Sequence, residues 1–413
     1  MSRSFRNNPI CAQFHIATPM FLGGANHETA RIRGSSVKGA LAFWWRAFHF
    51  AHHVQEAGRN VDDALKALRD REKRLFGSSD GGQGRFLLRV RHGEMKQHPS
   101  GEVLKNGSSD LGTGARYLGY GLMGAFGKDA GRLQRSCLVE GQSFTVELLF
   151  RPGSTDDDRR EMRVALKLLG LLGGLGARVR RGWGSVALQK LEGDGQSWQA
   201  PGSREDYVKT LKALFENHPC RGLSGAEWPL TAFAKESGVW VSGEPSSNSL
   251  DMLDRLGRAM LNYRGMGRGA DREVGKQPIL KQFREDHDWF RKGAGDVDIP
   301  YRSAFGLPHM YDSKQGIGVV PESSDRRASP LMFHVHKAGP DVFGTTILLP
   351  TKFLDGKIVA KRDKERETIR TYILGDPYCT RKASGLDVLK DFLGAGSGKF
   401  QKNEVVAFEQ VLP

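Results

Sequence analysis

A helix that runs into a turn rich in glycine and arginine, and then into a strand, restricts the folds open to this chain. Asp158, followed three residues later by Glu161, predicts a capped start of the helix. The helix has apolar residues at three- and four-residue spacing, which predicts one buried face: Met162, Ala165, Leu166, Leu169 and Leu172. The helix ends where the glycines begin at Gly173, and a strand is expected from Ser185 to Lys190.

The turn itself predicts a surface that binds phosphate groups. Its glycines allow main-chain N–H groups to approach a polyanion, and Arg178, Arg180 and Arg181 supply forked donors. Trp183 lies between two glycines and is expected to present a flat ring with space on both sides. Each feature alone has a structural explanation, as a helix cap, a partner of the helix dipole or a core side chain. The density of three arginines and five glycines in residues 173–184 favours binding.

The composition also favours a polyanionic partner. Lys and Arg outnumber Asp and Glu by 62 to 47, which gives a net charge of +15 in a chain of 413 residues. Such an excess is typical of proteins that bind nucleic acid, although charge alone also fits a basic soluble protein. The four cysteines form no Cys-x-x-Cys pair, which argues against a zinc knuckle or a disulfide framework. The sequence shows no apolar leader and no apolar run long enough to span a membrane, so we expect a cytoplasmic protein without membrane contact. We also expect that it needs no cofactor.

Several loops concentrate positive charge. A loop from Phe21 to Gly34 carries Arg31 and Arg33 at its end, and Ser35 or Ser36 is expected to cap the helix that follows. Two further basic turns are expected in the second half of the chain, at Arg264 with Arg268 and at Arg326 with Arg327.

The helix predicted from Val37 to Phe48 has an electrostatic misfit at its start. Lys38 lies in the first turn, where a cation is unfavourable to the helix dipole unless an anion is near. We interpret this as a hint of phosphate binding, with a solvated lysine as the alternative. Trp44 is expected in the core, whereas Trp45 and Arg46 are expected nearer the edge of the apolar face.

The predicted elements follow the order of the ferredoxin-like, or split βαβ, unit. Its strands are expected at Ile10–Ile16, Arg85–Arg91, Phe144–Phe150 and Ser185–Lys190. Such a unit forms one antiparallel four-stranded sheet backed by two helices, and related folds use the open face to bind single-stranded RNA. Three arginines of the second strand share one face, for which a solvated sheet face is the usual explanation.

A second, weaker copy of the unit is predicted further along the chain. Its strands are expected at Gly238–Ser242, Leu331–His336, Thr345–Leu349 and Glu404–Gln410, and its helices at Ser249–Tyr263 and Leu386–Leu393. The fold class is therefore α+β, with two tandem ferredoxin-like, RRM-like domains. We place the first in residues 1–200, with a glycine-rich insertion near 92–140, and the second, degenerate one in 236–413. Residues 201–235 connect them, with a helix from Asp206 to Asn217.

Two segments resemble the RAMP superfamily of CRISPR effector subunits. They are Thr18–Gly24 leading into Arg33–Arg46, with its run Ser-Val-Lys-Gly-Ala-Leu-Ala-Phe-Trp-Trp-Arg, and the glycine turn Gly173–Val186. The run is the more discriminating segment, and within the superfamily it resembles the first subunit of the type III-B, or Cmr, complex. Phe305–Pro308 and Arg327–Pro330 are similar to the second half of that subunit. The second glycine turn, Gly394–Lys399, departs from the pattern because it has no arginine.

The resemblance implies a non-catalytic subunit of a ribonucleoprotein that serves antiviral defence. It implies a place near the 3′ region of the guide RNA, contacts with guide and target RNA and with other RAMP subunits, and help in capturing target RNA. Lys38 and Arg46 would then lie on a helix that faces RNA, and the three arginines of the turn would lie on phosphates. Sequence would be read by guide–target pairing, and the protein would hold backbone and shape.

A catalytic alternative stays open. Some RAMP proteins cut RNA without metal, which needs a general base, an acid and a cation on the phosphate. His15 and His27 are candidate bases, with Arg31 or Arg33 as the cation, in a metal-independent endoribonuclease that processes guide precursors. His334 and His336 share a strand face but have no further ligand at metal spacing, so we expect them on the open sheet face. A general RNA-binding protein outside CRISPR is a third, weaker hypothesis.

Overall fold

The computed structural model describes most of the chain. The described residues are 9–24, 28–124, 127–246, 248–265, 273–274, 277–278, 280, 282–284, 286, 288, 300–312, 317–324, 326–352, 358–364, 367–374, 385–396, 398, 402 and 406–412. His27 and Arg268, both predicted above as functional residues, lie outside them.

The first half of the chain contains five strands longer than two residues and five α-helices in the described ranges. In chain order they are β1 (Ile10–Ile16), α1 (Gly34–Glu56), α2 (Val61–Phe76), β2 (Phe86–Arg91), α3 (Thr113–Leu118), β3 (Ser143–Phe150), α4 (Asp156–Leu172), β4 (Val186–Gly193), β5 (Gln196–Gln199) and α5 (Arg204–Leu214). Short two-residue strand pairs join Gly77–Ser78 to Gly82–Gln83, Gln97–His98 to Cys137–Leu138, and Lys105–Asn106 to Ser109–Asp110. The sequence did not predict α2 or β5, and α1 extends beyond the predicted helix at both ends.

The second half contains eight strands longer than two residues and two α-helices in the described ranges. They are β6 (Gly238–Ser242), α6 (Ser249–Arg264), β7 (His309–Asp312), β8 (Ile317–Pro321), β9 (Leu331–Ala338), β10 (Asp341–Leu348), β11 (Ile358–Lys364), β12 (Glu367–Leu374), α7 (Gly385–Phe392) and β13 (Phe408–Leu412). A two-residue pair joins Glu273–Val274 to Gln277–Pro278, and 3₁₀ turns span Gly127–Asp129, Pro219–Gly222 and Tyr301–Phe305. The fold is thus a mixture of helices and antiparallel sheets.

The first sheet has the strand order β5-β4-β1-β3-β2, and every neighbouring pair is antiparallel. Apolar residues alternate along β1, where Ile10, Phe14 and Ile16 are buried in one core with the apolar faces of α1 and α4. The expected order of the four main strands is therefore present. α4 begins one turn before the predicted cap, because Thr155 and Asp158 form a reciprocal capping box.

The second sheet repeats the order of the first. Its strands run β9-β10-β6-β13, all antiparallel, so that each sheet has the order 2-3-1-4 when its main strands are counted along the chain. The expected strands and helices of this half are present, although the last strand is Phe408–Leu412, later than predicted. A separate four-stranded sheet, β7-β8-β11-β12, was not predicted.

The two halves share buried contacts. Phe333 of β9 donates its N–H to the Arg180 carbonyl at 3.0 Å, so the second sheet lies against the glycine turn of the first half. His334 Nδ1 lies 2.8 Å from the Gly173 carbonyl, and His334 Nε2 lies 3.1 Å from His336 Nδ1. Both histidines are buried at this junction. The prediction that they line an open sheet face is wrong, because β9 packs on the end of α4.

The glycine-rich insertion is ordered in its described residues and joins the halves at a second place. Its helix α3 packs on α6, and Leu111, Ala115 and Leu118 share a core with Leu253 and Leu256. The segment after α5 also packs in the first core instead of forming an exposed link, with Trp228 and Phe233 buried there. Within the described ranges, no helix has both the length and the apolar character needed to cross a bilayer.

Candidate nucleic-acid interface

Helix α1 begins without a side-chain cap. Its N-cap residue is Arg33, with φ −108° and ψ 138°, and neither an acidic residue nor a capping side-chain hydrogen bond is present in the first turn. The prediction of a Ser35 or Ser36 cap is therefore wrong. Because α1 begins at Gly34, three residues before the predicted start, Lys38 is the fifth helical residue and lies just beyond the first turn, which corrects its predicted position. Lys38 is exposed there, and the Arg33 guanidinium donates to the Gly23 carbonyl at 2.9 Å. The positive end of the helix dipole is thus combined with added cations, an arrangement that favours an anion.

The glycines of the turn serve close backbone packing. Gly176 has φ +99°, and a Cβ there would lie 2.6 Å from the Phe21 carbonyl oxygen. Gly184 has φ +68°, and its Cβ would lie 2.0 Å from the Leu175 carbonyl oxygen. The Leu175 N–H donates to Gly184 and the Ala177 N–H donates to Phe21, each at 2.9 Å. These N–H groups are used within the fold, which corrects the prediction that the turn's main chain is open to a polyanion.

The three arginines of the turn point to different places. Arg178 has φ +60° and is exposed. Arg180 donates to the Ser329 carbonyl at 3.0 Å, and its guanidinium lies 5.2 Å from the centre of the Phe43 ring. Arg181 points inward, with Nη1 2.6 Å from Met260 Sδ. Burial, and then Arg264, lower the pKa of Arg181 to about 10. Arg178 is therefore the arginine of this turn best placed to meet a ligand in solution.

Two of the predicted tryptophans are core residues. The ring of Trp183 is fully buried and meets Phe21 edge to face, with 5.4 Å between ring centres, so it has no free faces. Trp45 is also fully buried, and its Nε1 donates to Glu161 Oε2 at 2.8 Å. Neither ring is available for a base to stack on. Trp44 is buried as expected.

Other predicted cations already have partners in the protein. Arg46 forms an ion pair with Glu72 at 2.5 Å. Glu72 belongs to α2, the helix that the sequence did not predict. Arg264 is 7% exposed, donates to the Tyr117 hydroxyl at 2.8 Å and lies over the Phe305 ring. These positions are unsuitable for direct contact with a polymer in solution.

Arg326 and Arg327 diverge from one another. Arg326 is exposed, and its charge acts on Arg178. Arg327 donates from Nη2 to the Lys352 carbonyl at 3.2 Å, and its main chain pairs with Leu307. Arg326 therefore belongs with Arg178 on the outside of the turn, whereas Arg327 is tied to the fold.

A groove of about 360 Å³ lies between the start of α1 and the glycine turn. It is lined by Phe21, Leu22, Gly23, Gly24, Ser36, Arg135, Gly176 and Ala177. Arg135, which the sequence interpretation missed, follows the glycine-rich part of the insertion. Its Nε atom is buried without a hydrogen-bond partner in the described structure, and its charge acts on Arg178.

We call six cations on the segments that carry this groove the basic rim: Arg135, which lines it, Arg178 and Arg326, which interact electrostatically with each other, and Arg31, Arg33 and Lys38 before and near the start of α1. Arg31, Arg33, Lys38, Arg178 and Arg326 are exposed, and Arg135 is half-buried. The rim residues form no ion pair with any carboxylate in the part of the chain that the structure describes. Cations held together without counter-charges raise the local potential for anions. The rim can therefore bind a chain of phosphate groups. Its residues come from separate segments of the chain, so the spacing of residues in the sequence did not predict it.

The open face of the first sheet has less net charge than predicted. Arg89 and Arg91 both bind the Glu147 carboxylate, at 2.5 Å and 3.0 Å. Burial raises the pKa of Glu147, but hydrogen bonds from Arg89 and Arg91 hold it below its usual value. The positive charge of Arg89 and Arg91 on β2 is thus partly neutralised by Glu147 on the neighbouring strand β3.

His15, one of the two predicted catalytic bases, lines a different cavity of about 700 Å³ together with Glu140 and Lys337. Burial and then Lys337 lower the pKa of His15, so its ring is neutral at pH 7. The cation that acts on it is Lys337, not Arg31 or Arg33 as predicted. Within the described ranges, no group of histidine, cysteine and acidic side chains has the arrangement needed to hold a metal ion.

Comparison with known proteins defines the class. Residues 13–187 match the model of the RAMP superfamily. A stretch of 183 residues is 27% identical to the CRISPR system Cmr subunit Cmr1-2 of Pyrococcus furiosus, covering 42% of this chain and 91% of that protein. The first half of the chain is therefore a RAMP superfamily domain.

The fold of the whole chain is also similar to that of solved Cmr proteins. The crystal structure of Cmr1 from Pyrococcus furiosus, in its apo form, matches with a TM-score of 0.58 over 98% of both chains at 18% identity. A chain of the type III-B Cmr-beta complex, solved with cognate target RNA and AMPPnP, matches with a TM-score of 0.50 at 11% identity, over 84% of this chain and 96% of that one. The resemblance to the first Cmr subunit, predicted from the run after Arg33, is confirmed.

Proposed function

We propose that this chain is a non-catalytic RNA-binding subunit of a type III-B CRISPR ribonucleoprotein. It contacts the backbone of guide RNA, target RNA or both near the guide 3′ end and helps to capture target RNA in antiviral defence. Other RAMP subunits of the complex are its protein partners. The observation that carries the proposal is the basic rim, in which cations without counter-charges surround an uncapped helix start.

The rim favours backbone contact over base reading. Its members are a lysine near the start of a helix and arginines on four loops, which is the chemistry of phosphate contact. Phosphate contacts position a nucleic acid without carrying sequence information. This suits a complex in which pairing between guide and target reads the sequence.

The domain boundaries are part of the proposal. We place a first ferredoxin-like RAMP domain in residues 1–200, with its insertion near 92–140, a connecting segment in 201–235 and a second ferredoxin-like domain in 236–413. The identical strand orders of the two sheets support this division. The basic rim draws mainly on the first domain, and Arg326 comes from the second.

A metal-independent endoribonuclease is the second candidate function. The observation in its favour is the cavity that holds His15, Glu140 and Lys337, because Glu140 Oε2 is buried without a hydrogen-bond partner in the described structure. A base, an acid and a cation in one cavity satisfy the minimum for cutting at a 2′-hydroxyl. The cavity is distinct from the groove inside the basic rim.

One experiment tests both functions. The purified chain is incubated with end-labelled single-stranded RNA without divalent metal, and matched native and denaturing gels are run. A shifted band that stays intact when denatured supports the binding subunit. Cleavage products that disappear in the His15→Ala variant would instead establish the endoribonuclease.

The site is tested with a triple variant, Arg135→Ala, Arg178→Ala and Arg326→Ala. Loss of three phosphate contacts on a single strand should reduce the slope of log affinity against log salt by about 2. Lys66→Ala, Arg69→Ala and Arg74→Ala together make the same change of charge on exposed positions of α2 and should leave the slope unchanged. Equal effects of the two triple variants would contradict the assignment of the rim.

A further inference from the structure

Tyr120, in the insertion, stands out among the exposed side chains. It is 63% exposed and is the one aromatic residue among the exposed large apolar side chains of the described structure; the others are Leu87, Leu149 and Met310. A single exposed ring is common on protein surfaces, so its support and its neighbours decide whether it has a role.

The backbone that carries Tyr120 is anchored on both sides. Leu118 and Leu122 are each 2% exposed, and the Leu122 N–H donates to the Gly119 carbonyl at 2.8 Å. A Cβ added to Gly119 would lie 3.1 Å from Trp183 Nε1, so the turn rests on the buried Trp183 ring. The Tyr120 side chain is thus presented from a fixed support, which lowers the entropy lost when a ligand covers it.

Tyr120 also lies beside the basic rim. A Cβ added to the next residue, Gly121, would lie 3.4 Å from Arg178 Nη2. The charges of Arg135 and Arg326 act on the same guanidinium, as does Tyr120. The insertion therefore brings an exposed ring next to three rim arginines from different parts of the chain.

An aromatic ring beside arginines is the arrangement that holds single-stranded nucleic acid. The arginines bind phosphates, and the ring stacks on a base whatever its identity. We propose that Tyr120 is a base-stacking site, where one unpaired nucleobase of a bound RNA lies on the ring while its flanking phosphates contact Arg178 and its neighbours. This inference rests on the proposed function and adds to it a contact with a base.

The test compares Tyr120→Ala and Tyr120→Phe with wild type in the full chain. The probe is a short fluorescein-labelled oligoadenylate RNA, and a strand of the same length with abasic positions serves as the second ligand. Tyr120→Ala should bind the oligoadenylate about tenfold more weakly, equivalent to ~1.4 kcal/mol, with an unchanged salt slope. Tyr120→Phe keeps the ring and should bind within about twofold of wild type. Leu87→Ala, at an exposed position of β2, should bind like wild type.

The abasic strand separates stacking from a general effect on the surface. It should bind wild type and Tyr120→Ala equally, because no base remains to stack. Equal binding of oligoadenylate by wild type and Tyr120→Ala, with affinity still lost in the triple arginine variant, would overturn the stacking site and leave the rim intact. An equal loss on both strands would also overturn it. If wild type fails to bind either strand, the RNA-binding function itself falls, and the stacking site falls with it.

Discussion

Gly257 of α6 and Gly114 of α3 touch through their backbones, since a Cβ on Gly257 would lie 2.0 Å from the Gly114 carbonyl oxygen. The Gly114 N–H also donates to Asp254 Oδ1 at 2.8 Å. This contact leaves no room for a side chain and docks the insertion of the first half on a helix of the second. The turn that carries Tyr120 follows α3 directly, so the contact also sets the position of that ring.

Replacing Gly257 with alanine should therefore separate α3 from α6. Alanine is the better helix former, but its methyl group would overlap main-chain atoms that cannot rotate away, so we expect a loss of about 1–3 kcal/mol in the free energy of unfolding. Urea unfolding measures this. Gly39→Ala in α1 is the matched control, because nothing lies within 4 Å of its Cβ position. The free energy of unfolding of Gly39→Ala should rise by up to about 1 kcal/mol. If it rises in Gly257→Ala as well, the close contact between Gly257 and Gly114 is contradicted.

Reversing the charge of Lys38 should weaken binding with little effect on stability. Lys38→Glu places an anion just beyond the first turn of α1, where the helix dipole effect has largely decayed, so the free energy of unfolding should change by less than about 0.3 kcal/mol. The same change should weaken RNA binding, because a cation of the rim becomes an anion. Lys66→Glu makes the same change of charge on α2 and should leave RNA affinity near that of wild type. A Lys38→Glu variant that binds RNA like wild type would remove Lys38 from the rim.

Two buried histidines should make the fold sensitive to acid. Since carbonyl oxygens only accept, His334 Nδ1–H donates to Gly173 and His218 Nε2–H donates to Phe48. His218 Nδ1 accepts from the Cys220 main-chain N–H, so a second proton on that ring has no acceptor. His334 Nε2 meets only the neighbouring ring nitrogen, His336 Nδ1, so a second proton there would place a charge between two buried imidazoles. Burial lowers the pKa of His334 to about 3 and that of His218 to about 4.

The direction of the pH effect follows from these values. In the unfolded chain both histidines protonate near pH 6.5, whereas the folded chain resists protonation, so the unfolded state binds more protons below pH 6.5. His334 and His218 should together lower the free energy of unfolding by about 2–3 kcal/mol per pH unit between pH 6 and about 4, and burial of His49 and His336 adds to this fall. Urea unfolding over this range measures the slope. His218→Gln should reduce the slope by about 1.4 kcal/mol per pH unit and the exposed His92→Gln should not, so an unchanged slope in His218→Gln would contradict the prediction.

The main strands and helices followed from local patterns. Alternation along Ile10–Ile16 and the three- and four-residue spacing before Gly173 each report one buried face, and such a face is present whatever packs on it. The helix α2 and the sheet of β7, β8, β11 and β12 were missed. Arg46 was consequently assigned to RNA, although the unrecognised α2 supplies its partner Glu72.

The binding surface could be predicted only in part. Spacing identified the glycine turn, yet Arg178, Arg180 and Arg181 look alike in sequence and separate in the fold into one exposed, one tethered and one inward-pointing side chain. Trp183 looked like a stacking ring because two glycines flank it. In the fold those glycines allow the backbone to close over it.

By itself, the sequence predicted the main strands and helices of both halves and the resemblance to the RAMP superfamily, and it determined the excess of positive charge, because periodicity, composition and short motifs are properties of local segments. The tertiary structure decided which cations lack counter-charges and which aromatic ring meets solvent. Arg135, Arg178, Arg326 and Tyr120 come from separated parts of the chain and become neighbours only when the insertion packs on α6 and the second sheet packs on the glycine turn. A charge or a ring has no fixed environment until those distant surfaces meet, so its role depends on packing that no local pattern encodes.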